Sequence, residues 1–339
     1  MHFSVFNHSI KKGDVPKLID RLRKQYEIIA PVKQGEDYNF KTINSGQELD
    51  LTDYQNTRFS PKKFFLANPE TLFVFKKDGK VKMSTKLNNE KRVIFGIRPC
   101  DVNGILIMDK LFLENYRDPL YQVRRNNTVL IALNCNKAGE YCFCESLGTD
   151  YIEESDLLLT DLGDKYFVVV QSENGNKIVK DNEDLFTINN ENIKRPEIKC
   201  KKSVNSKKLI ESLNKGFNNK IWEKEAKRCI SCAACTIVCP TCYCYDIQDV
   251  MNISGKEGEK VRKWNFCMLL NFTRVAGDFV FRLDRTERLK QFVCHKLCYF
   301  KETHDKFLCV GCGRCIQSCI VNIDLTKIAN KLSGKNDFE

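Results

Sequence analysis

The chain has 339 residues, a hydrophobic fraction of 42%, a formal charge of +11 and 18 cysteines. That length suits two domains, and the ordinary hydrophobic fraction without an apolar run near ~18 residues excludes a disordered or membrane-spanning chain. Many cysteines behind a start, M-H-F-S-V-F-N-H-S-I, that lacks a secretory leader fit a reducing, cytoplasmic setting where thiols serve as metal ligands rather than disulfides.

The first expected element is a helix from Asp14 to Ala30, capped by Asp14, with Val15, Leu18, Ile19, Leu22 and Tyr26 on one face. Residues 38–60 are polar and irregular and read as loops with short strands. A strand over Leu72–Phe75 precedes a turn at Asp78 and Gly79. Arg92–Ile97 reads as a buried strand ending in Arg98, Pro99, Cys100 and Asp101, and Asp101 is placed to cap a helix from Val102 to Leu113. A second strand, Thr128–Leu133, ends in Asn134 and Cys135. Strand, helix, strand is a βαβ unit with parallel strands whose ends share one sheet edge, where ligand sites of open α/β sheets form. Cys100 and Cys135 are therefore expected close together, with Cys142 and Cys144 on the loop that follows, and these four thiols are candidates for a third metal cluster.

Leu157–Thr160 and Lys165–Gln171 read as a hairpin, and Asn174-Gly175 as a further turn. Residues 181–195 read as surface. The basic stretch 196–208 has no apolar periodicity and reads as a domain linker, with Cys200 an exposed thiol within it. This divides the chain into an N-terminal α/β domain, residues 1–200, and a helical domain, residues 201–339.

Residues 229–240 read C-I-S-C-A-A-C-T-I-V-C-P, and residues 309–319 read C-V-G-C-G-R-C-I-Q-S-C. Both runs have the Cys-x2-Cys-x2-Cys-x3-Cys spacing that wraps a cubane 4Fe-4S cluster. Three thiols at intervals of three reach three irons from one tight loop, and the fourth cysteine is aimed across at the neighbouring cluster. The expected ligands are Cys229, Cys232, Cys235 and Cys319 for one cluster, and Cys309, Cys312, Cys315 and Cys239 for the other. Zinc knuckles have no use for the third and fourth cysteines of such a run. Pro240 follows Cys239, whereas Ile320 follows Cys319. The chain between the runs reads as helical, including a helix to about Met251, a segment over Arg262–Leu270 and a helix from Thr286 to Thr303 with Leu289, Phe292, Val293 and Phe300 on one face. Cys242, Cys244 and Cys267 read as packed thiols beside a cluster, and Cys294, His295 and Cys298 as core rather than a zinc site. The fold class is thus an α+β/α multidomain chain: an α/β domain with a βαβ unit, then an α-helical dicluster ferredoxin domain.

No Gly-x-Gly-x-x-Gly follows a strand, and none of the four histidines sits in an acid/base or haem-ligand pattern, so a dinucleotide site is unsupported. The lysines are scattered rather than gathered in a stripe with aromatics, which speaks for a solvated surface over a nucleic-acid footprint. Clusters without such sites point to a carrier of single electrons between partners. Lys227, Arg228 and Arg314 flank the cysteine runs, and cations held near cluster sulfurs raise reduction potentials.

The stretch C-I-S-C-A-A-C-T-I-V-C-P-T-C-Y-C-Y-D, the following W-N-F-C-M, the E-R-L-K helix and C-V-G-C-G-R-C, with R-P-C-D and Y-C-F-C-E-S-L-G-T in the first half, resemble the iron-sulfur electron-transfer component of anaerobic sulfite reductases over nearly the whole chain. The resemblance implies a cytoplasmic iron-sulfur protein that relays electrons from a flavin-containing NAD(P)H oxidoreductase subunit to a sirohaem subunit that reduces sulfite to sulfide. It implies no nucleic-acid or membrane partner, and it maps the ferredoxin cysteines onto the eight named above. Ala233 and Ala234 depart from the Gly-Arg expected in the first run. The beta subunit of soluble nickel-iron sulfhydrogenases is similar through the same elements and is the alternative. A zinc-stabilised nucleic-acid-binding protein is the alternative of another class, against which the cysteine spacing argues.

Overall fold

The computed structural model describes residues 7–114, 116–189, 191 and 193–334. The N-terminal half begins with strand β1 (His8–Lys11) and helix α1 (Val15–Leu22), followed by β2 (Glu27–Gln34) and β3 (Asp37–Thr42). Helix α1 buries Val15, Leu18, Ile19 and Leu22 as its period requires, but it stops well short of Ala30. Ile28, Ile29 and Ala30 are consecutive buried residues. Three apolar neighbours in a row fill both faces of a sheet interior, and β2 lies there between β3 and β6 (Arg92–Ile97).

Strands β4 (Glu70–Asp78) and β5 (Lys80–Ser84) form a hairpin about the turn expected at Asp78-Gly79. Beyond β6 come α2 (Pro99–Asp109), α3 (Pro119–Asn126) and β7 (Thr128–Leu133). Both β6 and β7 are buried at every position and pair in parallel, so the βαβ unit stands where the sequence placed it. Pro99, not Val102, opens α2, and Arg98 occupies the N-cap position. Asp101 therefore lies inside the first turn with no capping role, and it is fully buried. The hairpin of β8 (Leu157–Asp161) and β9 (Lys165–Val170) is antiparallel as expected. Asn174 and Gly175, expected as a turn, lie in helix α4 (Glu173–Lys180), whose N-cap Ser172 accepts from Gly175 N–H. With β10 (Thr187–Ile188) the main sheet runs β10-β1-β9-β8-β7-β6-β2-β3.

The C-terminal half contains α5 (Leu209–Lys215), α6 (Ile221–Arg228), α7 (Ala234–Ile237), then strands β11 (Tyr245–Met251) and β12 (Glu257–Trp264), and helices α8 (Arg285–Cys294), α9 (Phe300–His304), α10 (Arg314–Gln317) and α11 (Leu325–Leu332). Its core gathers Trp222, Leu289, Phe292, Leu297 and Ile328. The helix expected to end near Met251 is instead a strand. The β11-β12 hairpin pairs with β4 of the first half, giving a four-stranded sheet β11-β12-β4-β5. Arg262 at the base of β12 binds it there: its guanidinium pairs with Glu70 and, at 2.5 Å, with Asp118. The helical half is thus interrupted by a sheet to which both halves contribute.

Residues 196–208 are a strap rather than a loose linker. Ile198 and Val204 are buried, Cys200 N–H donates to Glu145 at 3.0 Å, and Val204 N–H donates to Ser146 Oγ at 3.2 Å. Among the described residues no helix is long and apolar enough to cross a membrane.

Candidate metal centres

The two cysteine runs adopt the same loop. In each, the second residue after the first cysteine and the residue after the second cysteine have positive φ: Ser231 (54°) and Ala233 (61°) in the first, Gly311 (61°) and Gly313 (73°) in the second. The left-handed turns curl the backbone so that Ser231 N–H points at Cys229 Sγ and Gly311 N–H at Cys309 Sγ, both at 3.4 Å. Each loop then enters a one-turn helix, α7 or α10. The glycines of the second loop are demanded by contact as well as by φ. A Cβ on Gly311 would stand 2.5 Å from Cys144 Cα, and one on Gly313 would stand 2.3 Å from the Tyr141 carbonyl oxygen. The first loop carries side chains at the matching positions, Ser231 and Ala233, at the cost of left-handed strain.

Each fourth cysteine lies near thiols of the opposite run. Cys229, Cys232, Cys235 and Cys319, together with Cys315 of the second run, line one apolar cavity with Leu289 and Phe292, and Ile323 N–H points at Cys319 Sγ at 3.3 Å. Burial pushes the Cys235 thiol well above its usual range, and Cys267, Cys229, Cys319 and Cys232 add to the push. Cys239 acts instead on Cys309, Cys312 and Cys315, whose thiols burial and mutual proximity raise. Four thiols around an apolar, water-poor hollow with backbone N–H groups on the sulfurs are the donor set a 4Fe-4S cubane takes. The residues present fit that group at both places. Among the described residues no three His, Cys, Asp or Glu side chains close on a point that would seat a single metal ion.

The charges beside the runs differ from those the sequence suggests. Arg314 is sealed from water but forks onto Asp101, so its charge is balanced. Arg228 pairs with Glu225 at 2.8 Å and donates to the Val321 carbonyl at 2.5 Å, which ties the ends of the two runs together. Two buried lysines stand closer to the thiols. Lys296 Nζ donates to Thr241 Oγ1 at 2.8 Å. Burial opposes its charge, yet Cys239, Cys242 and Cys309 hold its pKa above the ordinary value. Lys62 Nζ donates to the carbonyls of Thr236 and Cys242 at 3.1 and 3.2 Å and lies over the Trp264 ring. Burial lowers its pKa to about 8 against the pull of Cys242 and Cys239. The groups that meet these two lysines are carbonyls, a hydroxyl, rings and thiols. Lys296 had a sequence signal, since it falls on the helix face of Leu289, Phe292, Val293 and Phe300; Lys62, in a short turn after Pro61, had none.

At the sheet edge the structure adds Cys200 to the expected thiols. Cys142 and Cys144 share a hydrogen bond, and Cys144 Sγ lies 3.9 Å from Cys200 Sγ. The hydrogen bond with Cys144 lowers the Cys200 thiol to about 7. Cys135, buried and therefore raised, feels Arg98 first and then Cys142 and Cys200. Arg98 fixes this edge by donating to the carbonyls of Gln55 at 2.9 Å and Asn134 at 2.7 Å. Cys100 packs in the first turn of α2 with Ile107, Phe300, Leu308 and Val310, and it still acts on Cys144 and Cys135. The strap delivers Cys200, which sequence reasoning left as an exposed thiol.

Cys242, Cys244 and Cys267 are packed thiols in the same core as the first run. Cys294 and Cys298 are buried in α8 and the turn after it, and His295 meets the rings of Tyr243 and Phe300. Burial pulls that imidazole down to about 4, in keeping with a core residue.

Residues 228–323 match the family described as the 4Fe-4S dicluster domain. The chain is similar to sulfhydrogenase 2 subunit beta of Pyrococcus furiosus, with 36% identity over 327 residues that cover 94% of this chain and 95% of that one. No solved structure matches the chain.

Proposed function

This chain belongs to the family of the sulfhydrogenase beta subunit, and from that premise we propose that it is the iron-sulfur electron-transfer subunit of a cytoplasmic sulfhydrogenase-type complex. Its flavin-containing partner would exchange electrons with NAD(P)H, and its other partner would carry a nickel-iron centre. The full-length relative favours this reading over the sulfite reductase suggested by the cysteine motifs, although the electron-relay role is common to both.

The observation that carries the relay is the interleaving of the two runs. Cys229, Cys232, Cys235 and Cys319 would hold one 4Fe-4S cluster, and Cys309, Cys312, Cys315 and Cys239 the other. Bound there, the clusters supply one-electron carriers. The chain's own residues keep that chemistry dry and fixed in place. Leu289 and Phe292 exclude water from the first hollow, and the loop N–H groups of Ser231 and Gly311 stabilise thiolate charge. Lys62 and Lys296 place positive charge beside Cys239. Ile230, Cys232 and Ile320 are exposed, so the first loop reaches the surface, where a redox partner can approach.

Anaerobic purification of the native complex, with nickel, iron, acid-labile sulfide and flavin analysis and an absorption spectrum, tests the proposal. Nickel and flavin co-purifying with the chain support it. Sirohaem bands without nickel would return the assignment to a sulfite reductase, and zinc without sulfide would overturn the relay itself.

A further inference from the structure

Beyond the two ferredoxin-type sites, four thiols from three separate segments meet at the carboxyl edge of the main sheet. Cys135 directly follows Asn134 at the end of β7, Cys142 and Cys144 stand on the next loop, and Cys200 arrives on the strap. The approach is close, with Cys144 Sγ 3.9 Å from Cys200 Sγ. The backbone around it is pinned: Cys142 N–H donates to Gly139 O at 3.1 Å, and Cys200 N–H to Glu145 at 3.0 Å. A strap otherwise made largely of lysines and polar residues is thus held so that its cysteine faces the other thiols. Thiols gathered in this way supply the soft thiolate donors that iron-sulfur clusters take.

The place matters as much as the number. The Cys142–Cys144 loop lies against the second cysteine run: Phe143 N–H donates to Gly311 O at 2.8 Å, and Cys142 Sγ to Cys312 O at 3.7 Å. Thr149 Oγ1 donates to Val310 O at 2.8 Å. A redox group here would be next in line after the second ferredoxin-type site. A zinc ion here would be redox-inert and would carry no electron onward.

We propose that Cys135, Cys142, Cys144 and Cys200 hold a third iron-sulfur cluster of the 4Fe-4S class, extending the relay into the N-terminal half of the chain. Cys100, which acts on Cys144 and Cys135 but packs among Ile107, Phe300, Leu308 and Val310, is left out of this ligand set. What the cluster does rests on the relay reading, but whether it exists does not, so metal content separates the two.

The test is anaerobic purification of the full chain with reconstituted clusters, followed by iron, acid-labile sulfide and zinc analysis. Three cubanes give about twelve irons per chain and two give about eight. Cys200→Ser lies on the half-exposed strap, where folding is least at risk, and is expected to lose about four irons while the electron paramagnetic resonance (EPR) signals of the two ferredoxin-type clusters remain. Cys100→Ser is expected to keep all of about twelve. About eight irons in the unaltered chain would overturn the proposal, as would zinc that disappears with Cys200→Ser. Loss of iron from Cys100→Ser with none from Cys200→Ser would overturn the ligand set. Absence of nickel from the native complex would leave the result untouched.

Discussion

Arg314 and Asp101 form a two-pronged ion pair between the second cysteine run and the first turn of α2, with Nη1 at 2.6 Å from one carboxylate oxygen and Nη2 at 2.7 Å from the other. Both side chains are sealed from water. Arg314 also donates to the Thr57 carbonyl at 2.8 Å. The same guanidinium thus orders the loop that carries Cys312 and Cys315 and docks that loop on the α/β half. Removing one partner strands a buried charge, a loss of about 3–5 kcal/mol. Arg314→Met is expected to destabilise the cluster-loaded chain by that amount in anaerobic denaturant unfolding. Arg314→Lys, which keeps the charge but loses the fork, should fall between. Unchanged stability in Arg314→Met would show that the pair does not hold the halves together.

The two loops share one backbone but differ in their neighbours, so they should respond oppositely to glycine and alanine. Gly311→Ala drives a methyl into the Cys144 backbone and is expected to cost the cluster of the second run, read as a drop of about four irons. Ala233→Gly relieves a left-handed alanine and is expected to keep all iron and stabilise the loop by about 1 kcal/mol. Equal tolerance at both positions would contradict the packing described.

Crossed ligation has a combinatorial signature. If Cys239 serves the cluster of the second run, Cys239→Ala combined with Cys312→Ala removes the same one cluster as either change alone, about four irons. Cys239→Ala combined with Cys232→Ala should remove about eight. Local ligation predicts the reverse, and iron analysis with EPR decides.

Lys62 and Lys296 set a positive field on Cys239 and Cys242 from two different segments. A unit charge ~7 Å from a redox centre at an effective dielectric near 20 is worth about 2.4 kcal/mol, roughly 100 mV for a one-electron couple. Lys62→Met is expected to lower the midpoint potential of one cluster by tens of millivolts up to that value in an EPR-monitored titration, leaving the others in place. A potential that does not move would assign Lys62 to packing alone.

Several elements could be read from the residues alone because they are local. The eight ferredoxin-type thiols follow from spacing within two short loops, since the curl of such a loop is set by a few consecutive dihedrals. β6 and β7 were legible because continuous apolar runs bounded by polar residues suit strands covered on both faces. The helix expected to reach Ala30 failed where local period and tertiary demand diverged: Ile28, Ile29 and Ala30 satisfy a helix face no better than a buried strand, and the free positions beside β3 and β6 decided the matter. The β11-β12 hairpin is likewise a strand pair because β4 offers it an edge.

Spacing and residue type by themselves determined that this chain binds iron-sulfur clusters and that it has a βαβ unit ending in cysteines. Only the tertiary structure decided which thiols, cations and acids meet. It brought Cys200 on the strap to Cys144, neutralised Arg314 with Asp101, and set Lys62 and Lys296 beside Cys239. The physical reason is that cysteine spacing is enforced by the stiffness of one loop, whereas contacts between residues scores of positions apart depend on how buried surfaces are shared out among all elements at once.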